Sequence, residues 1–194
     1  PQKGGPSDGT KEASALAGGA DKTAGATDLA PPEPILGRAD TLADLLRTLS
    51  AQAGCVTLLG AGGIGKTALA RWVERAWRTP PTPAAPRPAV WLDLMPLRDV
   101  DGLVQALAQS VAPGLAPLDG TATGRAADWA QWLARLPHVP DTLWVLDNAE
   151  HLREPVARLV TALQRSMPDL RLLVTSQVPL GCTGERRFPL GPLA

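Results

Sequence analysis

A chain of 194 residues, 44% of them hydrophobic, can enclose one core and is sized for one domain with some tail. Nineteen basic residues balance nineteen acidic ones, which excludes the basic footprint of a surface for nucleic acid or anionic membrane on this segment. Two cysteines without CxxC or HxxxH spacing argue against a disulfide scaffold and a structural metal, the first residues show no apolar signal region, and no apolar run approaches the ~20 residues of a membrane helix; a reducing, cytoplasmic setting is expected.

Residues 1–34 are mostly Gly, Ala, Ser, Thr, Pro and Asp. They bury too little surface to offset ordering entropy and read as a flexible linker, with a further domain expected upstream of Pro1. The folded segment is expected over residues 35–194. Residues 41–50 set Leu42, Leu45, Leu46 and Leu49 on one helical face, with Asp40 or Thr41 as the cap. Residues 55–59 form a short apolar strand, and residues 67–77 a helix striped by Leu69, Val73 and Ala76. A proline-rich loop at 79–88 leads to a strand at 89–94 and a helix at 100–111. Residues 113–124 read as a loop and 126–136 as a helix bearing Trp129, Trp132 and Leu133, with the tryptophans in the core. A buried strand at 142–146, a helix at 155–166, a strand at 170–175 and a short strand at 186–190 complete the chain. Strands alternating with helices predict an α/β fold in three layers, α/β/α, around a mainly parallel sheet of about five strands.

Between the first strand and the second helix stands Gly60-Ala61-Gly62-Gly63-Ile64-Gly65-Lys66-Thr67, the G-x-x-x-x-G-K-[ST] pattern of a phosphate-binding loop. Its glycines let the backbone close around phosphates with amide groups pointing inward. The helix starting near Lys66 adds its positive end, and Lys66 supplies a mobile charge for the β and γ phosphates. The Thr67 hydroxyl is a Mg²⁺ ligand. Gly60, Ala61, Gly62, Gly63, Ile64, Gly65, Lys66, Thr67 and Ala68 are the expected nucleotide contacts. The plain alternative is a glycine-rich turn with a surface lysine. Residue usage argues against it: Lys3, Lys11 and Lys22 lie in the linker, all fifteen arginines lie beyond it, and Lys66 is the one lysine among them. A slim ammonium fits a slot that a planar guanidinium does not.

Leu143-Trp144-Val145-Leu146-Asp147 is an apolar strand ending in a carboxylate, the pattern of a Walker B acid that holds Mg²⁺ beside the loop hydroxyl. A second acid often follows directly, but here that position is Asn148, which takes no proton. Glu150 either polarises the attacking water or is a helix-start carboxylate favoured by the dipole; both readings stay open. His151 reads as a helix-end or loop residue. Lys66, Asp147 and Glu150 are the candidate catalytic set.

Four stretches together carry a resemblance: Ile35-Leu36-Gly37-Arg38, the phosphate loop, Leu146-Asp147-Asn148-Ala149-Glu150-His151-Leu152, and Leu173-Val174-Thr175-Ser176-Gln177-Val178-Pro179-Leu180-Gly181. The chain resembles the nucleotide-binding domain of STAND-class signalling ATPases, relatives of the NB-ARC/AP-ATPases, and most resembles those of bacterial LuxR-type and winged-helix transcriptional regulators. Val90-Trp91-Leu92-Asp93-Leu94 is similar to that family's second strand; Asp93 is either a strand-end acid near the site or, the favoured reading, a loop-facing acid. The resemblance implies that Ile35, Leu36 and Arg38 lie against the adenine nucleotide. It implies that Thr175-Ser176 ends a sensor strand whose usual next residue, an arginine, reaches the γ-phosphate. Gln177 stands there instead and carries no charge. The implied ligands are ATP or ADP and Mg²⁺. The implied role is a nucleotide-dependent switch, closed with ADP and assembling with ATP, whose partners are other domains of the parent chain and a homo-oligomer in the ATP state. This segment itself is expected to contact neither nucleic acid nor membrane. Asn148 and Gln177 imply slow ATP hydrolysis at most. The family's lid domains would follow Ala194. The rivals are a P-loop kinase or metabolic ATPase, for which no acceptor site or lid arginine cluster is visible, and a non-hydrolysing scaffold with nucleotide as a structural part.

Overall fold

The computed structural model describes residues 37–79, 86–112, 132–136 and 139–192. The linker at 1–34, Ile35, Leu36, the loop at 113–124 and Trp129 lie outside the described residues.

Helix α1 (Ala39–Ala51) begins two residues earlier than its leucine spacing suggests. Neither Asp40 nor Thr41 caps it; the cap position is Arg38, whose side chain makes no capping bond. Asp40 instead sits in the first turn, where its carboxylate meets the positive end of the helix. Leu45 and Leu49, one turn apart, are fully buried. Strand β1 (Gly54–Leu59) runs into the phosphate loop, and α2 (Lys66–Arg78) leaves it. β2 (Ala89–Asp93) is followed by α3 (Val100–Val111), whose cap Asp99 accepts from the Gly102 amide at 2.8 Å. β3 (Leu143–Asp147) leads through a single 3₁₀ turn (Glu150–Leu152) into α4 (Arg153–Ser166). That helix starts before Pro155, which is tolerated because first-turn amides have no intrahelical acceptor. β4 (Arg171–Ser176) and β5 (Arg186–Pro189) follow.

The five strands form one parallel sheet in the order β2-β3-β4-β1-β5. Alternate side chains divide its two faces, as the period of a strand requires. Leu143 and Val145 of β3 and Leu173 of β4 pack with Leu45, Leu69, Val73 and Trp77 of α1 and α2. Trp144, Leu146, Leu172 and Val174 pack with Leu103, Leu107, Leu159 and Leu163 of α3 and α4. This is the expected three-layer α/β/α architecture. Every strand buried on both faces reads as a continuous apolar run, which is why β3 is so legible in sequence. Trp132 is buried in the α3/α4 core, as its spacing predicts.

Candidate nucleotide site

In a parallel sheet all strands end on the same side, so the residues after β1, β2, β3 and β4 meet along one edge. The loop from Gly60 to Gly65 joins β1 to α2 there. Gly63 and Gly65 hold left-handed φ of 76° and 97°, which L side chains rarely adopt. Nothing stands within 4 Å of where a Cβ would lie on either, so the hollow is open above them. At Gly60 the reason for glycine is contact: a Cβ would lie 2.9 Å from Ile64 Cγ2 and 3.0 Å from the Leu190 carbonyl oxygen. Among the described residues, no backbone carbonyl accepts from the amides of Gly63, Gly65, Lys66 or Thr67. The result is a small cluster of free donors at a helix N-terminus.

Lys66 is 7% exposed, and its Nζ donates to the carbonyls of Gly60 at 2.8 Å and Ala61 at 3.0 Å. No carboxylate among the described residues forms an ion pair with it. Its charge is therefore held by two carbonyl dipoles on the loop itself. Ala68 is exposed on the first turn of α2.

Asp147 ends β3 and is 2% exposed. The Thr67 hydroxyl donates to its Oδ1 at 3.0 Å, across 80 residues of sequence, and the Thr175 hydroxyl donates to the same oxygen at 2.5 Å. Thr175 Oγ1 in turn accepts from the Asn148 amide at 2.9 Å. Asn148 holds a positive φ of 64°, a conformation that asparagine tolerates better than most residues. Its Nδ2 reaches Asp147 Oδ2 at 3.3 Å and Asp93 Oδ1 at 3.4 Å. Asp93 pairs with Asp147 in the β2/β3 register. It is exposed, and its Oδ1 also accepts from the Met95 amide of the following loop at 3.0 Å, so it faces the loop, as expected, while lying at the site edge. Asp147 has no ion-pair partner among the described residues. A hydroxyl beside a buried, uncompensated carboxylate is a hard-oxygen donor pair of the kind that suits Mg²⁺ when phosphates complete its shell. No group of three or more His, Cys, Asp or Glu among the described residues makes a cage without them.

Glu150 lies on the 3₁₀ turn after β3, with Gln177 Nε2 donating to its Oε1 at 3.0 Å. Its Oε2 is buried without a partner. Gln177, after β4, also lies over the loop, its Nε2 3.9 Å from a Cβ placed on Gly62. Glu150 and Gln177, 27 positions apart in sequence, are joined by the fold. His151 is exposed and faces the Leu97 carbonyl at 3.0 Å, away from this group. Arg38 comes close to the loop, but its Nη2 is bonded to the carbonyls of Ile64 and Gly191. Thr175 holds Asp147, a role that no local pattern in the sequence announces. The nearest signal in the sequence is the pair of hydroxyl residues, Thr175-Ser176, that ends an apolar run; in the fold both are fully buried.

An AAA domain family model matches residues 47–186. A Mycobacterium tuberculosis protein named as a candidate HTH-type transcriptional regulator is 37% identical over 141 residues, which is 72% of this chain and 14% of that protein. Among solved structures, Cdc6p of Pyrobaculum aerophilum aligns with a TM-score of 0.57 at 17% identity, over 81% of this chain and 46% of its own. A Pyrococcus horikoshii STAND protein with a tetratricopeptide repeat sensor aligns with a TM-score of 0.51 at 16% identity, over 81% of this chain and 23% of its own. At these identities the structural likeness establishes the fold. The chain spans only a small part of the length of the curated relative.

Proposed function

This chain belongs to the AAA domain family, and from that premise we propose that it is the ATP- and ADP-binding switch domain of a STAND-class signalling ATPase in a cytoplasmic transcriptional regulator. The observation that carries the nucleotide reading is the 3.0 Å contact of Thr67 with Asp147 beside the buried Lys66 ammonium. The motif set after β3 and β4 and the name of the mycobacterial relative support the regulatory reading.

The free amides of Gly63, Gly65, Lys66 and Thr67 bind the polyphosphate. Lys66 gives up its loop carbonyls for phosphate oxygens. Thr67 and Asp147 hold Mg²⁺, which when bound neutralises charge on the phosphates. Glu150 orients the attacking water through its unpartnered oxygen while Gln177 holds the other. Asn148 in place of an acid and Gln177 in place of an arginine keep turnover slow. ADP holds the parent protein closed, and ATP favours an open, self-associating form through its higher affinity for that conformer. Residues 35–194 are the nucleotide-binding domain, and residues 1–34 link it to other domains.

The test is to identify the nucleotide released from purified protein, titrate fluorescent ADP and ATP with Mg²⁺, and follow phosphate release. The expected result is bound ADP, a Kd at or below about 10 μM and turnover well under ~1 s⁻¹. Failure to bind any nucleotide would sink the proposal, and fast transfer to a small-molecule acceptor would replace it with a kinase. Tight binding with no hydrolysis in the parent protein would favour the scaffold.

A further inference from the structure

A switch needs a physical link between the phosphate loop and the chain that leaves the domain. Arg38 stands where such a link would be. It is 6% exposed. Its Nη2 donates to the Ile64 carbonyl, within the loop, at 3.2 Å and to the Gly191 carbonyl, just past β5, at 2.9 Å. Its own carbonyl accepts from the Leu42 amide at 2.9 Å at the start of α1. One residue thus joins three segments, two of them 26 and 153 positions away.

The segment after β5 touches the loop strand at a second place. The Leu190 amide donates to the Leu59 carbonyl at 2.7 Å. The Leu190 carbonyl oxygen occupies the space a Cβ on Gly60 would need. Ile64 lies between Gly63 and Gly65, both in left-handed conformations, so its peptide planes are set by glycines and turn at low steric cost. No carboxylate among the described residues forms an ion pair with Arg38. Carbonyls hold a guanidinium less firmly than a carboxylate does, so the bond to Ile64 can be exchanged when the loop changes shape.

We infer that Arg38 is a positioning residue that relays filling of the phosphate loop to residues 190–192, and through them to whatever follows β5. The inference rests on the nucleotide reading above. It assigns Arg38 a task besides any contact with the nucleotide, because Nη2 donates to two backbone carbonyls on separate segments.

The experiment is hydrogen exchange by mass spectrometry on the full chain, with and without Mg²⁺ and ADP, for wild type, Arg38→Met and Arg38→Lys. Thermal unfolding and fluorescent-ADP affinity are measured on the same samples. In wild type, ADP is expected to slow exchange about tenfold both in the loop and at the Leu190 and Gly191 amides. In Arg38→Met the loop response persists and the response at 190–191 falls below about twofold. Arg38→Lys keeps a cation without the planar fork and falls between, so it carries the comparison if the methionine variant melts early. Unchanged coupling in both variants, or a wild-type segment at 190–191 that ignores ADP, would overturn the relay alone. Loss of ADP affinity with coupling intact would overturn it in favour of direct nucleotide contact. A wild type that binds no nucleotide would remove the functional reading itself, and the relay with it.

Discussion

Replacing Asp147 by asparagine keeps the shape of a buried side chain and removes its charge. Two hydroxyls, from Thr67 and Thr175, donate to Oδ1, and Asn148 donates to Oδ2. Hydrogen bonds to a charged acceptor contribute about 1.5–3 kcal/mol against about 0.5–1.5 for neutral ones, so neutralising this acceptor costs about 1 kcal/mol for each hydroxyl. Opposing that loss, Asp147 is 2% exposed and has no cationic partner among the described residues, so its charge carries a desolvation cost that the variant escapes. A new amide at the Oδ2 position would face the Asn148 amide, and turning Asn148 over would aim its oxygen at Asp93 Oδ1, so this contact, 3.3 Å at the outset, is lost either way at small cost. The two effects nearly cancel, and stability is expected to move by no more than about 1 kcal/mol, or roughly 2–4 °C in Tm for a chain of this size. Metal dependence should change far more. Wild type is expected to bind ATP at least about tenfold more tightly with Mg²⁺ than with a chelator, a difference of about 1.4 kcal/mol. In Asp147→Asn that gain should fall below about threefold, with metal-free affinity equal or better because one negative charge near the phosphates has gone. Calorimetric titration with and without Mg²⁺, beside a thermal melt, reads all three quantities. An undiminished Mg²⁺ gain in the variant would refute the reasoning.

Lys66→Ala removes a charge-assisted contact of about 1.5–3 kcal/mol to phosphate, so ATP affinity should fall roughly 10- to 150-fold in a fluorescence titration; unchanged affinity would contradict the proposed site. Gly60→Ala drives a methyl against Ile64 and the Leu190 carbonyl, the latter held by its neighbouring backbone bond, and should cost about 1–3 kcal/mol in chemical denaturation. An unaltered denaturation midpoint would mean that the segment after β5 yields freely. Both cysteines are free. Contact with Cys182, together with burial, holds the Cys55 thiol well above the ordinary range, while contact with Cys55 lowers that of Cys182 against the opposing pull of its own burial. A mild thiol reagent should therefore modify Cys182 alone in the native protein, starting at a pH below the usual thiol range, and both cysteines in denaturant. Rapid native labelling of Cys55 would refute this.

Much of the molecule is legible in local sequence because its elements follow local rules. β3 is a strand buried on both faces, so four consecutive residues had to be apolar up to the carboxylate that ends it. The phosphate loop is contiguous, and each of its residue types answers a local need: glycines for left-handed backbone, a lysine for reach, a threonine for its hydroxyl. Strand–helix alternation was enough to predict a parallel sheet in three layers. What local sequence does not contain is strand order. With β4 between β3 and β1, Thr175 comes to rest on Asp147 and Gln177 comes to rest on Glu150, though 28 and 27 positions separate the partners. The same order brings Asp93 to Asn148 and the segment after β5 to the loop. Such pairings depend on lateral packing of strands, which is chosen by the summed burial of two sheet faces rather than by any one segment. The amino-acid order therefore determined which groups are available for phosphate and metal, and only the assembled sheet decided which side chains hold them in place.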